Sequence, residues 1–340
     1  MYESYYGFTG KPFQLNPDPA FFFGSRGHKR AFAYLQYGLF QNEGFIVITG
    51  DIGAGKTTLV RSLLEQLDTN KVVAGQLVST QLDADDMLRS VAAAFGIPIK
   101  SVDKAELLAT LEAFLCSLMT QNKRALLVVD EAQNLSPRAV EELRMLSNFQ
   151  LGDQALLQSF LIGQPELRHL MQSPQMQQLR QRVIASYHLG PMDRQETQAY
   201  VEHRLTHVGW QNNPKFEPGA FDAIFSFSAG IPRRINTLCN RVLLAAYLAE
   251  KKSIAAIDVD SVASEIKQEL GPTAVGSVPV GHAHDATRPV ASANAGALEM
   301  MTGLDDRLAR VERTTTAIID LLHQLLQRDR QQKQGGKANA

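Results

Sequence analysis

The run Gly50-Asp51-Ile52-Gly53-Ala54-Gly55-Lys56-Thr57 has the residue types and spacing that wrap a chain of phosphates. Backbone N–H groups must approach the anion closely at a tight turn, and Gly50, Gly53 and Gly55 leave that space. Lys56 brings a point charge to the terminal phosphates, and the Thr57 hydroxyl suits Mg²⁺. A second chemical signal is Asp130-Glu131, at the end of the apolar run Ala125-Leu126-Leu127-Val128-Val129. Asp130 is placed to hold Mg²⁺ through its water shell, and Glu131 to orient and deprotonate an attacking water. Gln164, after another apolar run, falls where it touches a γ-phosphate or the water, or else caps a helix. Arg180 and Arg182 are each placed to reach a neighbouring subunit's nucleotide, or else are ordinary surface arginines. Arg233, next to Pro232 at a helix start, is a charge that reports on a γ-phosphate.

The elements that position these residues follow from periodicity. An apolar run at 45–49 enters the glycine-rich turn and an amphipathic run at 58–67 leaves it, which reads as strand, phosphate loop, helix. That helix points its unpaired N–H groups and positive dipole end at the phosphates. Further strands are expected at 72–78, 125–131, 158–163 and 185–189, with helices at 26–39, 83–95 and 104–119. The continuous apolar runs of 125–129 and 158–163 suit strands buried on both faces, as in a parallel sheet. Open α/β sheets place ligands at the C-terminal ends of such strands. From Asp193 the pattern is helical only, at 194–208, 218–227, 231–250 and 258–270.

The expected organisation is an aromatic and proline-rich segment, 1–24, packed on the core; an α/β nucleotide-binding domain, 25–191; and an all-α lid, 192–270. Proline density in 1–24 argues for irregular structure on the nucleotide domain, beside the base or simply filling space. Residues 271–297, rich in Gly, Ala, Val and Pro, read as a flexible linker. In 298–333, Met301, Leu304, Leu308, Val311, Thr315, Ile318, Leu322 and Leu325 form a heptad seam, expected as a coiled-coil-like helix, or as a helix docking on its own domain. Residues 334–340 are expected as a disordered tail.

Composition bounds the function. Apolar residues make up 44% and the net charge is −1, which argues against a protein that coats nucleic acid or anionic membrane by bulk attraction. Cys116 and Cys239 sit in apolar helical runs and read as reduced core residues. The first residues lack a basic start followed by an apolar core, and no window approaches the ~20 apolar residues of a membrane span. A cytoplasmic protein, membrane-associated only through partners, is expected.

These residues together resemble the AAA+ ATPases, and most closely the secretion ATPases of the general secretion pathway A type, in the branch associated with exosortase and PEP-CTERM exopolysaccharide systems. The resemblance covers roughly residues 1 to 270 and rests on Tyr5-Tyr6-Gly7-Phe8, Pro12-Phe13, Asn16-Pro17-Asp18, the loop from Gly50 through Thr57 and Thr58, Val129-Asp130-Glu131-Ala132-Gln133-Asn134-Leu135, Gly163-Gln164-Pro165-Glu166-Leu167 and Gly230-Ile231-Pro232-Arg233-Arg234. It implies a P-loop α/β fold with five parallel strands and a helical lid, and ATP with Mg²⁺ at the interface of a homo-oligomer. It implies roles as first sensor for Gln164, second sensor for Arg233 and arginine finger for Arg182. Gln164 departs from the Asn, Ser or Thr usual at that place. The implied work is ATP-driven assembly of an envelope export machine. Relatives usually continue into a membrane helix and a peptidoglycan-binding part, which this tail does not resemble. Two other readings are an ATP-switched DNA adaptor, like the transposition helper ATPases, and a tail-mediated scaffold with structural ATP.

Overall fold

The computed structural model describes residues 1–41, 43–78, 83–98 and 103–270. The expected linker, heptad helix and tail lie outside the described residues.

Five strands, β1 (Phe45–Gly50), β2 (Val72–Val78), β3 (Arg124–Asp130), β4 (Leu157–Gly163) and β5 (Val183–Leu189), form one parallel sheet in the order β2-β3-β4-β1-β5. β1 and β4 are buried along their whole length and β3 after its first residue, whereas β2 and β5 at the edges expose alternate positions. Their sequences differ accordingly, since a strand covered on both faces carries no polar alternation.

Successive residues feed opposite faces. Ile46, Ile48, Leu126, Val128, Phe160 and Ile162 pack with residues of α1 (Arg26–Gln41) and α2 (Lys56–Glu65). Phe45, Val47, Leu127, Val129 and Leu161 pack with residues of α3 (Ala84–Ala94), α4 (Lys104–Thr120), α5 (Pro137–Leu146) and α6 (Pro165–Gln172). The register pairs Thr49 with Gly163 and Val129 with Leu161, which brings the ends of β1, β3 and β4 to one edge.

After β5 come the lid helices α7 (Arg194–His207), α8 (Pro218–Ser228), α9 (Pro232–Leu248) and α10 (Ala256–Leu270). Asp193 opens the lid with a capping box: its carboxylate accepts from the Glu196 N–H at 2.8 Å, and the Glu196 carboxylate accepts from the Asp193 N–H at 3.3 Å. The lid is not helix alone, because Lys215–Phe216 pairs with Ser253–Ile254. A two-residue bridge is too short to carry a period-2 signal. No helix among the described residues is long and apolar enough to cross a membrane.

The N-terminal segment corrects the expectation in two ways. Residues Tyr2–Tyr6 form a short helix, possible because the first proline is Pro12. Tyr2, Tyr6, Phe8 and Phe13 are buried in the core of the lid, among Val201, Leu205, Ile235 and Cys239, and not on the nucleotide domain. Burying an aromatic side chain contributes about 1.5–3 kcal/mol, and for these four the lid helices supply the apolar surface. Polar tips find partners there too: the Tyr2 hydroxyl donates to Asn240 at 2.8 Å and the Tyr6 hydroxyl to the Lys251 carbonyl at 2.9 Å. The chain then returns to the nucleotide domain, where Phe22 packs on the α1 and α2 side of the sheet.

Candidate functional site

β1 ends at Gly50 and α2 begins at Lys56, so the intervening loop turns at the C-terminal edge of the sheet. Lys56 is only 6% exposed, and its ammonium donates to the carbonyls of Gly50 at 2.7 Å and Asp51 at 2.9 Å. Burial holds its pKa below the ordinary lysine range, opposed by the carboxylates of Glu131, Asp130 and Asp51. Within the loop Ala54 is buried and Ile52 exposed. Gly53, Gly55, Thr57 and Thr58 line the same cleft as Lys56 and Glu131.

Two features missing from the sequence reading support this loop. His28, on α1 and buried, holds the Ala54 carbonyl at 3.0 Å through Nε2, and its Nδ1 lies 2.7 Å from the Ser25 hydroxyl. Burial pushes the His28 pKa down, against the pull of the Ala54 carbonyl and of Glu196. From above, the first turn of α9 docks on the loop, so that Arg233 lines the cleft. A histidine two elements away from the loop carries no motif, and only the packed fold reveals its place.

Asp130 ends β3, is buried, and accepts a hydrogen bond from the Thr57 hydroxyl at 2.9 Å. That pair of hard oxygen donors fits Mg²⁺, which keeps several waters and takes other ligands from phosphates. Among the described residues no three His, Cys, Asp or Glu side chains gather into a metal site of their own. The other Asp130 oxygen accepts from the Glu131 N–H at 2.9 Å.

Glu131 has φ 53°, ψ 38°, a left-handed conformation uncommon for glutamate and typical of strained functional positions. The turn directs its carboxylate to two amides: Gln133 Nε2 donates to Oε2 at 2.6 Å and Gln164 Nε2 to the same atom at 3.0 Å. Burial alone raises its pKa, but these two donors and the charges of Lys56 and Arg233 bring it below the usual glutamate value. Gln164 therefore reaches the cleft through Glu131.

Lys56, Thr57, Asp130, Glu131, Gln164 and Arg233 are thus brought together, and Arg180 and Arg182 are not. Arg180 donates to the carbonyls of Met171 at 2.7 Å and Ser173 at 3.0 Å, and Arg182 to the carbonyl and hydroxyl of Ser147, both at 3.0 Å. The opposite wall of the cleft is lined by residues 14–18 of the N-terminal segment and, from the lid, by Tyr200, Arg204 and Asn236. Arg204 is buried, donating to the Pro12 carbonyl at 2.6 Å and the Tyr200 hydroxyl at 2.8 Å, with its guanidinium 4.7 Å from the Phe21 ring.

Residues 39–171 match the family model described as AAA domain. The chain is similar to general secretion pathway protein A of Aeromonas hydrophila, with 38% identity over 267 residues, 78% of this chain and 48% of that protein. It therefore spans about half the length of that curated relative. Among solved structures it is similar to the Aeropyrum pernix ORC2 protein in ADPNP-ADP complexes, with TM-score 0.58 and 20% identity over 75% of this chain and 71% of that one. Cdc6p from Pyrobaculum aerophilum gives TM-score 0.55 and 16% identity over 74% and 73%. Identities this low show a shared fold: a P-loop AAA+ sheet with surrounding helices.

Proposed function

We propose, from the premise that this chain carries an AAA domain and is related to a general secretion pathway A protein, that it binds ATP in the cleft beside Lys56 and hydrolyses it. The observation that carries the reading is the Glu131 carboxylate, oriented by two amides, in the cleft shared with Lys56 and Arg233. The loop N–H groups and Lys56 hold the phosphates. Glu131 takes the proton of a water whose oxygen bonds to the γ-phosphorus as the bond to the β–γ bridging oxygen breaks, yielding ADP and phosphate. Thr57 and Asp130 would hold Mg²⁺, which when bound neutralises charge on the β and γ oxygens. Gln164 and Arg233 act as sensors of the γ-phosphate.

The working form is a homo-oligomer in which Arg182 leaves Ser147 to reach the neighbouring subunit's nucleotide. The cycle drives or switches assembly of an envelope secretion machine, of the exosortase-associated exopolysaccharide kind. The sequence resemblance supports that branch, and the similarity to a general secretion pathway A protein supports the broader secretion role.

Phosphate release measured with and without Mg²⁺ tests the chemistry. Wild type should turn over ATP only with Mg²⁺, Lys56→Ala should lose binding and turnover, and Glu131→Gln should lose turnover while still binding ATP. Unchanged turnover in both variants would remove this function.

A further inference from the structure

We propose that Gln133 is a positioning residue for ATP hydrolysis, fixing the Glu131 carboxylate by a clamp whose other end is the backbone of Gln164. The inference rests on the proposed hydrolysis by this site.

Gln133 lies in the single 3-10 turn Ala132–Asn134 that follows Glu131. The left-handed Glu131 folds that turn back, so that the Gln133 amide lies against the carboxylate two residues earlier, at 2.6 Å. Its amide oxygen simultaneously accepts from the Gln164 backbone N–H at 2.9 Å. One planar group thus spans from the end of β3 to the end of β4. Both of its polar atoms are used, which also settles the orientation of the amide.

Gln164 touches the same carboxylate oxygen at 3.0 Å, but through a flexible side chain. The two glutamines therefore differ in kind. Gln133 is anchored to main chain and stays when the cleft contents change; Gln164 is free to exchange Glu131 for a phosphate oxygen. A separate feature of the fold points the same way. Gly163, immediately before Gln164, has no side chain, and a Cβ there would lie 2.7 Å from Gln133 Oε1 and 2.9 Å from Leu167 Cδ2. The end of β4 is shaped around the Gln133 amide.

A clamp of this sort places the carboxylate for a water rather than binding nucleotide. Losing it should lower kcat while leaving ATP affinity unchanged, because the clamp orients the carboxylate and does not touch nucleotide.

The test compares Gln133→Ala, Gln133→Glu and Glu131→Gln in the full chain, by steady-state phosphate release resolved into kcat and KM, ATP affinity by calorimetry, and thermal melting. Gln133→Glu keeps the shape and the acceptor for the Gln164 N–H but replaces the donor with a carboxylate oxygen, so it decides the matter should Gln133→Ala fold poorly. The expected result is a kcat lower by on the order of 10- to 100-fold with unchanged ATP affinity. In the Glu131→Gln background, Gln133→Ala should cause no further loss of turnover. Wild-type kcat in Gln133→Ala and Gln133→Glu, with Glu131→Gln inactive, would overturn the clamp and leave the hydrolysis reading standing. Full turnover in Glu131→Gln would instead overturn the role of Glu131 as the base, and the clamp with it.

Discussion

The backbone N–H of Arg233, in the first turn of α9, donates to the carbonyl of Gly53 at 3.2 Å. The first N–H groups of a helix have no partner within it, so the lid finds one on the phosphate loop. Lid and loop are coupled through main chain, and contents that move the loop also move the lid.

Gly53 makes that coupling possible. Its φ is +83°, and a Cβ would lie 2.4 Å from the Cβ of Arg233. A left-handed alanine costs about 1–2 kcal/mol, so Gly53→Ala should weaken Mg-ATP binding by about tenfold or more. Calorimetric titration checks this, and an unchanged Kd would show that binding does not need the docked lid.

Arg182 is engaged with Ser147 in the isolated chain, while Arg180 ties down Met171 and Ser173. If Arg182 serves a neighbour's nucleotide, Arg182→Ala should lower turnover by roughly a thousandfold with ATP affinity unchanged. Mixing it with Glu131→Gln should restore activity, because each variant supplies what the other lacks. No restoration on mixing would exclude action between subunits.

His28 gives a pH dependence whose sign is fixed by burial. Its folded pKa lies below the unfolded value near 6.5, so the folded form resists protonation. The stability it contributes is complete above that unfolded value and is lost as pH falls below it, with a slope of at most about 1.4 kcal/mol per pH unit. His28→Gln should flatten the decline in urea stability on acidifying from pH 7 to 5.5. The same slope in the variant would assign that decline to other groups, His203 among them, whose pKa burial also lowers.

Arg204 binds the N-terminal segment to the lid without a carboxylate within ion-pair distance among the described residues. Arg204→Met leaves the Pro12 carbonyl without its charged donor, so it should lower global stability by about 1–3 kcal/mol, a modest share of the total. Residues 12–18 should nevertheless lose protection, since the carbonyl of Pro12 loses its donor. Hydrogen exchange separates the two effects; wild-type protection in this segment would show that apolar packing alone holds it.

The sequence by itself determined the parts whose physics is local. A glycine-rich turn between an apolar run and an amphipathic run reads as a phosphate loop, and uninterrupted apolar strands read as covered on both faces. The positions of Lys56, Thr57, Asp130 and Glu131 follow from those elements at once, because each stands within a residue or two of a strand end or helix start. Tertiary structure alone decided the partnerships. That Gln133 and Gln164 converge on one oxygen of Glu131 depends on the alignment of β3 with β4. His28, with Ser25 on its other ring nitrogen, meets the loop because α1 packs across the sheet, at a separation no motif encodes. The N-terminal aromatics are expected on the nucleotide domain, but Tyr2, Tyr6, Phe8 and Phe13 pack in the lid, because burial and not spacing decides which apolar surface they cover. Spacing along the chain specifies turns and faces; which faces meet is settled by burial and by pairing of polar groups across the whole molecule.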